Sequence, residues 1–273
     1  MDYKVIAMDL DGTLLNDQKE ISPLTAQAIM DARAAGKKIV LISGRHRREM
    51  IAYAQSLGLG REAGDYLVSC DGIYIEELSS GRISETSTLT GTETAEIVAR
   101  YGCCAQTMVV TAEADYVIYE KPNASYLKRR LRNLLGKASV PVSMKELDKL
   151  KALPAVEKIV FVSADSSRLC RQLAAELGEA CHLQLCSGGR LELLHRDVSK
   201  WKAIQAVSRA LRIPPEEWLY FGDDGNDIQC LQNIKHSFAM GNAAEEIKNC
   251  AAYVTGSNNE DGIAAALERM DNL

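Results

Sequence analysis

The stretch that decides the fold is Val5-Ile6-Ala7-Met8-Asp9-Leu10-Asp11-Gly12-Thr13-Leu14-Leu15. Its apolar start is short, rich in β-formers and without polar alternation, which predicts a strand buried on both faces. Gly12 ends it. A buried parallel strand that runs into acids places them at its carboxyl end, where open α/β sheets hold their ligands. Asp9 and Asp11 are therefore candidates for chemistry. Two carboxylates this close repel each other and need a divalent cation, a lysine or a shared proton. Each arrangement serves phosphoryl transfer: one Asp attacks phosphorus and holds Mg²⁺, and the other, its pKa raised, protonates the leaving oxygen and later deprotonates water. The alternative is a turn with two solvated aspartates.

The surrounding chain extends the pattern. Ser22-Pro23 reads as an N-cap with proline at the first helical position. The apolar face Leu24, Ala28, Ile29 and Ala32 follows, stopped by Gly36, and leads into the strand Ile39–Ile42. This is a parallel strand–helix–strand unit. The second strand ends in Ser43-Gly44-Arg45, whose hydroxyl and bare backbone N–H suit a phosphate at the start of the next helix, or simply cap that helix. Tyr66–Cys70 reads as a third strand, followed by a hairpin, Ile73–Glu77 with Arg82–Glu85.

Near residue 84 the character changes. Helices are expected over Thr92–Arg100, Leu127–Leu135 (with the basic run Lys128, Arg129, Arg130 and Arg132) and Leu169–Leu177. Strands are expected over 107–111, 116–119, 159–162, 182–186 and 191–194. This is a second α/β unit, read as a cap over 84–190 inserted into a core of 1–83 and 191–273.

The last part returns to the first. Ser199 caps a helix with the apolar face Trp201, Ile204, Val207 and Leu211, which puts Lys200 in a first turn where a cation needs an anionic partner. The strand Trp218–Phe221 ends in Gly222-Asp223-Asp224-Gly225-Asn226-Asp227. Asp223 and Asp227 can converge on one hard cation, with Asn226 as a neutral donor.

The 273 residues are 47% hydrophobic and carry a net charge of −5, which supports a large core and argues against a nucleic-acid partner. No run approaches a membrane span, and a strand so near residue 1 leaves no room for targeting, so a cytoplasmic setting is expected. Eight cysteines without a CxxC pair read as free buried thiols rather than as a disulfide or zinc framework.

Taken in order, Asp9-Leu10-Asp11-Gly12-Thr13, Ser43-Gly44-Arg45, Lys200 and Gly222–Asp227 resemble the haloacid dehalogenase superfamily of phosphotransferases, Cof-like branch. Ala239-Met240-Gly241-Asn242-Ala243 and Asn258-Asn259-Glu260-Asp261-Gly262 support this. The resemblance implies a Rossmann-like core with a C2-type α/β cap. It implies Asp9 as nucleophile and Mg²⁺ ligand, and Asp11 as general acid/base with its backbone carbonyl on the metal. It puts phosphate contacts at Leu10, Ser43, Gly44, Lys200 and Asn226, and completes the metal site with Asp223 and Asp227. It departs from the branch at Asp71-Gly72-Ile73, commonly Asn-Gly-Ala, where an Asp facing the cleft would repel anions. Trp201 stands where glycine is frequent, and Cys230 where methionine is usual.

The function so implied is Mg²⁺-dependent hydrolysis of a small phosphorylated metabolite, by a monomer or homodimer. A phosphotransferase or mutase on the same site is the alternative. A non-catalytic phospho-ligand binder would lack a catalytic group, and none is missing.

Overall fold

The computed structural model describes residues 3–121, 125, 127 and 139–271. The helix expected over 127–135, with its basic run, lies outside the described residues, Leu127 apart.

The strands form two sheets. In chain order they begin with β1 (Val5–Met8), β2 (Lys38–Ile42), β3 (Tyr66–Ser69), β4 (Tyr74–Glu77) and β5 (Arg82–Glu85). Then come β6 (Gln106–Val110), β7 (Asp115–Tyr119), β8 (Ser139–Ser143), β9 (Lys158–Val162), β10 (Cys181–Cys186) and β11 (Arg190–His195). The last are β12 (Trp218–Gly222), β13 (His236–Ala239) and β14 (Tyr253–Val254). The first sheet has the order β14-β13-β12-β1-β2-β3-β4-β5, parallel from β14 to β3, with β4 and β5 as an antiparallel hairpin at one edge.

β1 lies inside that sheet, and its apolar run serves both faces. Ile6 and Met8 pack with Ile29 and Ala32 of the helix Pro23–Ala34 and with Ile263, Leu267 and Met270 of the helix Gly262–Asp271. Val5 and Ala7 pack on the other face with Ala203, Ile204 and Val207 of the helix Lys200–Leu211. No β1 side chain is left for solvent, which is why the run lacks alternation.

Ser22 caps the first helix by accepting from the Thr25 N–H at 3.1 Å. The stripe expected on that helix holds at Ala28, Ile29 and Ala32 and fails at its first member: Leu24 is exposed, and Thr25 is buried in its place. Thr25 is tolerated inside because its hydroxyl donates to Asp261 at 3.1 Å.

The chain divides into two compact units, Met1–Thr86 with Ser199–Leu273, and Ser87–Val198. The second division therefore falls later than 190/191, because β11 pairs with both β9 and β10 and cannot leave their sheet. The second unit has the strand order β10-β11-β9-β6-β7-β8, antiparallel except for β7 with β8. Its core joins Ile159, Phe161, Leu191 and Leu193 to Val98 of the helix Gly91–Tyr101 and Leu173 of the helix Ser166–Leu177. β8 was not anticipated. It holds Pro141, and a proline is accommodated because β8 is an edge strand.

All eight cysteines are free, but only Cys70, Cys186 and Cys230 are buried, and Cys103 and Cys104 are exposed. Among the described residues no helix is long and apolar enough to cross a membrane.

Candidate active site

Parallel register builds the site. Met8 pairs with Leu41 on one side and Phe221 on the other. The residues that follow these strands, Asp9, Ser43 and Asp223, therefore emerge together at the carboxyl edge of the sheet. Gly12 permits the turn: its φ is +76°, and a Cβ there would lie 2.2 Å from Asp223 Oδ2.

Lys200 is fully buried, and its Nζ lies 2.9 Å from Asp9 Oδ1 and 2.7 Å from Asp227 Oδ1. The sequence conflict of a cation in a helix's first turn is thus resolved by two carboxylates. Asp227 Oδ1 also accepts from the Tyr220 hydroxyl at 2.5 Å. Its Oδ2 accepts from the Asp223 and Asp224 N–H groups at 2.9 and 3.0 Å. These four donors fill the acceptor positions of one carboxylate, so Asp227 shapes the Asp223 loop from within the protein. Asp223 Oδ1 accepts from the Thr13 hydroxyl at 2.8 Å. Cys230 is buried in the core on this side of the sheet, and Trp201 packs, partly buried, against the same cluster.

The electrostatics follow from burial. Asp9 is only 5% exposed, and burial holds its pKa well above the usual carboxylate range, against the pull of Lys200 and with the charges of Asp227 and Asp223 adding to the rise. Burial likewise pushes Asp223 up to about 7, with Asp227 adding and the Thr13 hydroxyl opposing. Burial would strip Lys200 of its proton, but Asp227, Asp9 and Asp71 reverse this and hold the ammonium charged. Oxygens of Asp9, Asp223 and Asp227 lie within 4.8 Å of one another. A hard divalent cation fits between Asp9 and Asp223, because one ammonium does not balance three carboxylates, while Asp227, expected as a third ligand, has its lone pairs taken by protein donors.

Asp11 differs from expectation. Its carboxylate is turned to a bidentate pair with Arg45, Nε to Oδ2 and Nη2 to Oδ1, both at 2.6 Å, and Lys19 Nζ reaches Oδ1 at 2.7 Å. Burial raises its pKa, but these two cations outweigh it and bring the value to about 2. The raised pKa expected for Asp11 is therefore corrected: here it is held ionised.

Two further expectations change. The helix after β2 begins at Arg47, with His46 as N-cap, and not at Ser43. The carbonyls of Ser43 and Arg45 instead accept from the Asp71 and Cys70 N–H groups at 3.0 and 2.9 Å, so the segment is tied to the turn after β3. Asp71, expected to face a cleft, is fully buried, and it accepts from Asn226 Nδ2 at 3.0 Å. The Leu10 side chain lies in the core, so any contact it makes with a ligand is through its backbone. Lys19, Thr13 and Tyr220 join the site in the structure without being marked as site residues by the sequence pattern. Thr13 stood inside the decisive motif, and Tyr220 is a hydroxyl in an otherwise apolar strand, which is the signal that a buried donor leaves.

The raised carboxyls predict a pH effect. With Asp9 and Asp223 raised, the folded state binds more protons than the unfolded chain from the ordinary carboxylate range up to about pH 7, so stability falls as pH rises through that window. Asp11 has the opposite sign, but its loss comes only below about pH 4. Protein stripped of metal with EDTA should show a falling Tm between about pH 5 and 8, and Mg²⁺ should restore it at the upper end. A Tm that stays level or rises over that range would contradict the placement of these carboxylates.

The family model for haloacid dehalogenase-like hydrolases matches residues 6–267. The chain belongs to that family. Its motifs place it in the Cof-like branch of the haloacid dehalogenase-like hydrolases. Among relatives of this family member, YxeH of Bacillus subtilis is 28% identical over 270 residues, 98% of each chain. The pyridoxal phosphate phosphatase YbhA of Escherichia coli is 26% identical over 277 residues, 97% of each chain. A haloacid dehalogenase-like hydrolase structure from B. subtilis superposes with a TM-score of 0.76 at 25% identity, covering 98% of this chain and 99% of that one.

Proposed function

We propose that this hydrolase is a phosphatase that cleaves small phosphomonoesters, such as sugar phosphates, nucleotides or phosphorylated cofactors, with Mg²⁺ and through a phosphoryl group carried on Asp9. The observation that carries this reading is the buried Asp9 at the end of β1, paired with buried Lys200 and grouped with Asp223. The family match and a relative named for pyridoxal phosphate support the same class of substrate.

Lys200 engages Asp9 Oδ1, which leaves Oδ2 to attack phosphorus. A P–O bond to Asp9 forms as the ester P–O bond breaks, and the leaving oxygen takes a proton from Asp11. Water, losing its proton to Asp11, then attacks phosphorus, the Asp9–phosphorus bond breaks, and inorganic phosphate departs. Mg²⁺ held by Asp9 and Asp223, with the Asp11 carbonyl, would neutralise phosphoryl charge during both displacements. Ser43, the Gly44 N–H, the Leu10 backbone, Lys200 and Asn226 hold the phosphoryl oxygens in this reading. Asp227 acts by fixing Lys200 and the Asp223 loop. The inserted unit Ser87–Val198 is the cap.

In this scheme Asp11 must carry a proton, so Arg45 and Lys19 have to release it during the cycle. Asp11→Asn should therefore separate the two displacements. With p-nitrophenyl phosphate, whose leaving group needs no acid, a burst of about one nitrophenol per enzyme should precede turnover slowed by roughly 10²–10⁴. Alkyl phosphates should lose the first step as well. Wild-type turnover of alkyl phosphates by the variant would remove Asp11 from the mechanism. The direct test of the reading is release of inorganic phosphate from a panel of metabolites, with and without Mg²⁺.

A further inference from the structure

Three successive residues after β3 have positive φ: Cys70 at 52°, Asp71 at 57° and Gly72 at 109°. Glycine takes such angles freely, whereas cysteine and aspartate do so at a cost that the surroundings must offset. At Gly72 the reason is space, since a Cβ there would lie 2.8 Å from the Ser199 carbonyl oxygen. At Cys70 and Asp71 the reason is what the turn holds. Their N–H groups donate to the carbonyls of Arg45 and Ser43. The Asp71 side chain reaches the opposite way, to the amide of Asn226.

That last bond has a directional consequence. An ionised carboxylate only accepts hydrogen bonds. The amide of Asn226 must therefore present its NH₂ side to Asp71, and it cannot be satisfied there after a half-turn. The amide oxygen is buried and has no hydrogen-bond partner among the described residues, so nothing opposes this choice. Asparagine at position 71 would accept or donate and would leave the amide free to turn either way.

We infer that Asp71 is a positioning residue: its carboxylate fixes the amide of Asn226 in one orientation, so that the second N–H of the same NH₂ is held for a phosphoryl oxygen. Its backbone N–H meanwhile anchors Ser43, so one strained turn sets two phosphate contacts that come from opposite ends of the chain. The inference rests on the phosphatase reading of the site. It also reverses the expectation that an aspartate at this position acts by repelling anions.

A double-mutant cycle tests it, with p-nitrophenyl phosphate as substrate, inorganic phosphate as competitive inhibitor and circular dichroism to confirm folding. Asp71→Ala should raise KM and the inhibition constant of phosphate by about tenfold, the loss of one oriented hydrogen bond, with kcat changed by no more than about threefold. Asp71→Asn, which retains an acceptor, should recover most of that loss. In an Asn226→Ala background Asp71→Ala should change either constant by no more than about twofold, the part left to the charge it lends Lys200, because it acts mainly through that amide. Should Asp71→Ala fail to fold, the cycle is read with Asp71→Asn, whose smaller rise must likewise shrink. Tighter phosphate binding by Asp71→Ala or Asp71→Asn would establish repulsion instead, and effects that multiply with Asn226→Ala would overturn the coupling. Wild-type protein that neither turns over the ester nor binds phosphate would overturn the phosphatase reading and this inference with it.

Discussion

Asp9→Asn is expected to reduce phosphate release by at least about 10⁴-fold, because a carboxamide cannot form the bond to phosphorus on which the proposed mechanism depends. The fold should survive. Lys200 keeps Asp227 as an ion-pair partner 2.7 Å away, and the substituted side chain still offers an oxygen to the ammonium. Removing a carboxylate whose ionisation is opposed by burial should leave Tm unchanged or slightly higher in metal-free protein. The two readings together separate a lost nucleophile from a lost structure: phosphate release collapses while the melting curve does not. An Asp9→Asn protein with wild-type turnover would remove Asp9 from the chemistry.

Lys200→Met should lose both activity and stability. The side chain is fully buried and neutralises two buried carboxylates at once. Breaking a buried ion pair by deleting one partner typically costs about 3–5 kcal/mol, because the remaining charge is stranded. Asp227 retains Tyr220 and two backbone donors, so the stranding falls mainly on Asp9. Lys202, the neighbouring lysine, is exposed, and Lys202→Met should change stability by no more than about 0.5 kcal/mol. Urea denaturation of the two variants side by side checks the assignment. Equal effects at the two positions would show that the buried lysine is not what balances the acidic cluster.

How far the chain discloses its own structure depends on the range of the interaction concerned. The strands that build the site are local signals. Val5–Met8, Ile39–Ile42 and Trp218–Phe221 are apolar runs that end abruptly in acids or a hydroxyl, and parallel pairing then brings those ends together without further information. Lys200 was legible because an N-cap serine made its charge awkward unless an anion stood near it. Side-chain choices over long separations were not legible. Asp11 had two chemically reasonable fates, a protonated acid or an ion-paired base, and only the placement of Arg45 and Lys19 selects the second in this structure. The donors that converge on Asp227 come partly from backbone N–H groups, which no residue identity announces. Leu24 was misplaced while Ala28, Ile29 and Ala32 were not, because in the first turn the hydrogen bond from Thr25 to Asp261 lets a hydroxyl take the inward position. β8 was missed because Pro141 argues against a strand until its edge position is known.

Direct evidence would come from trapping the phosphoryl group in transit. Enzyme mixed with p-nitrophenyl phosphate and Mg²⁺, quenched during turnover and reduced with borohydride, converts an acyl-phosphate aspartate to homoserine, which peptide mass spectrometry locates. Homoserine is expected at position 9 and nowhere else. Turnover with an unmodified Asp9, or with the reduced residue at Asp11 or Asp223, would contradict a phosphoryl group carried on Asp9.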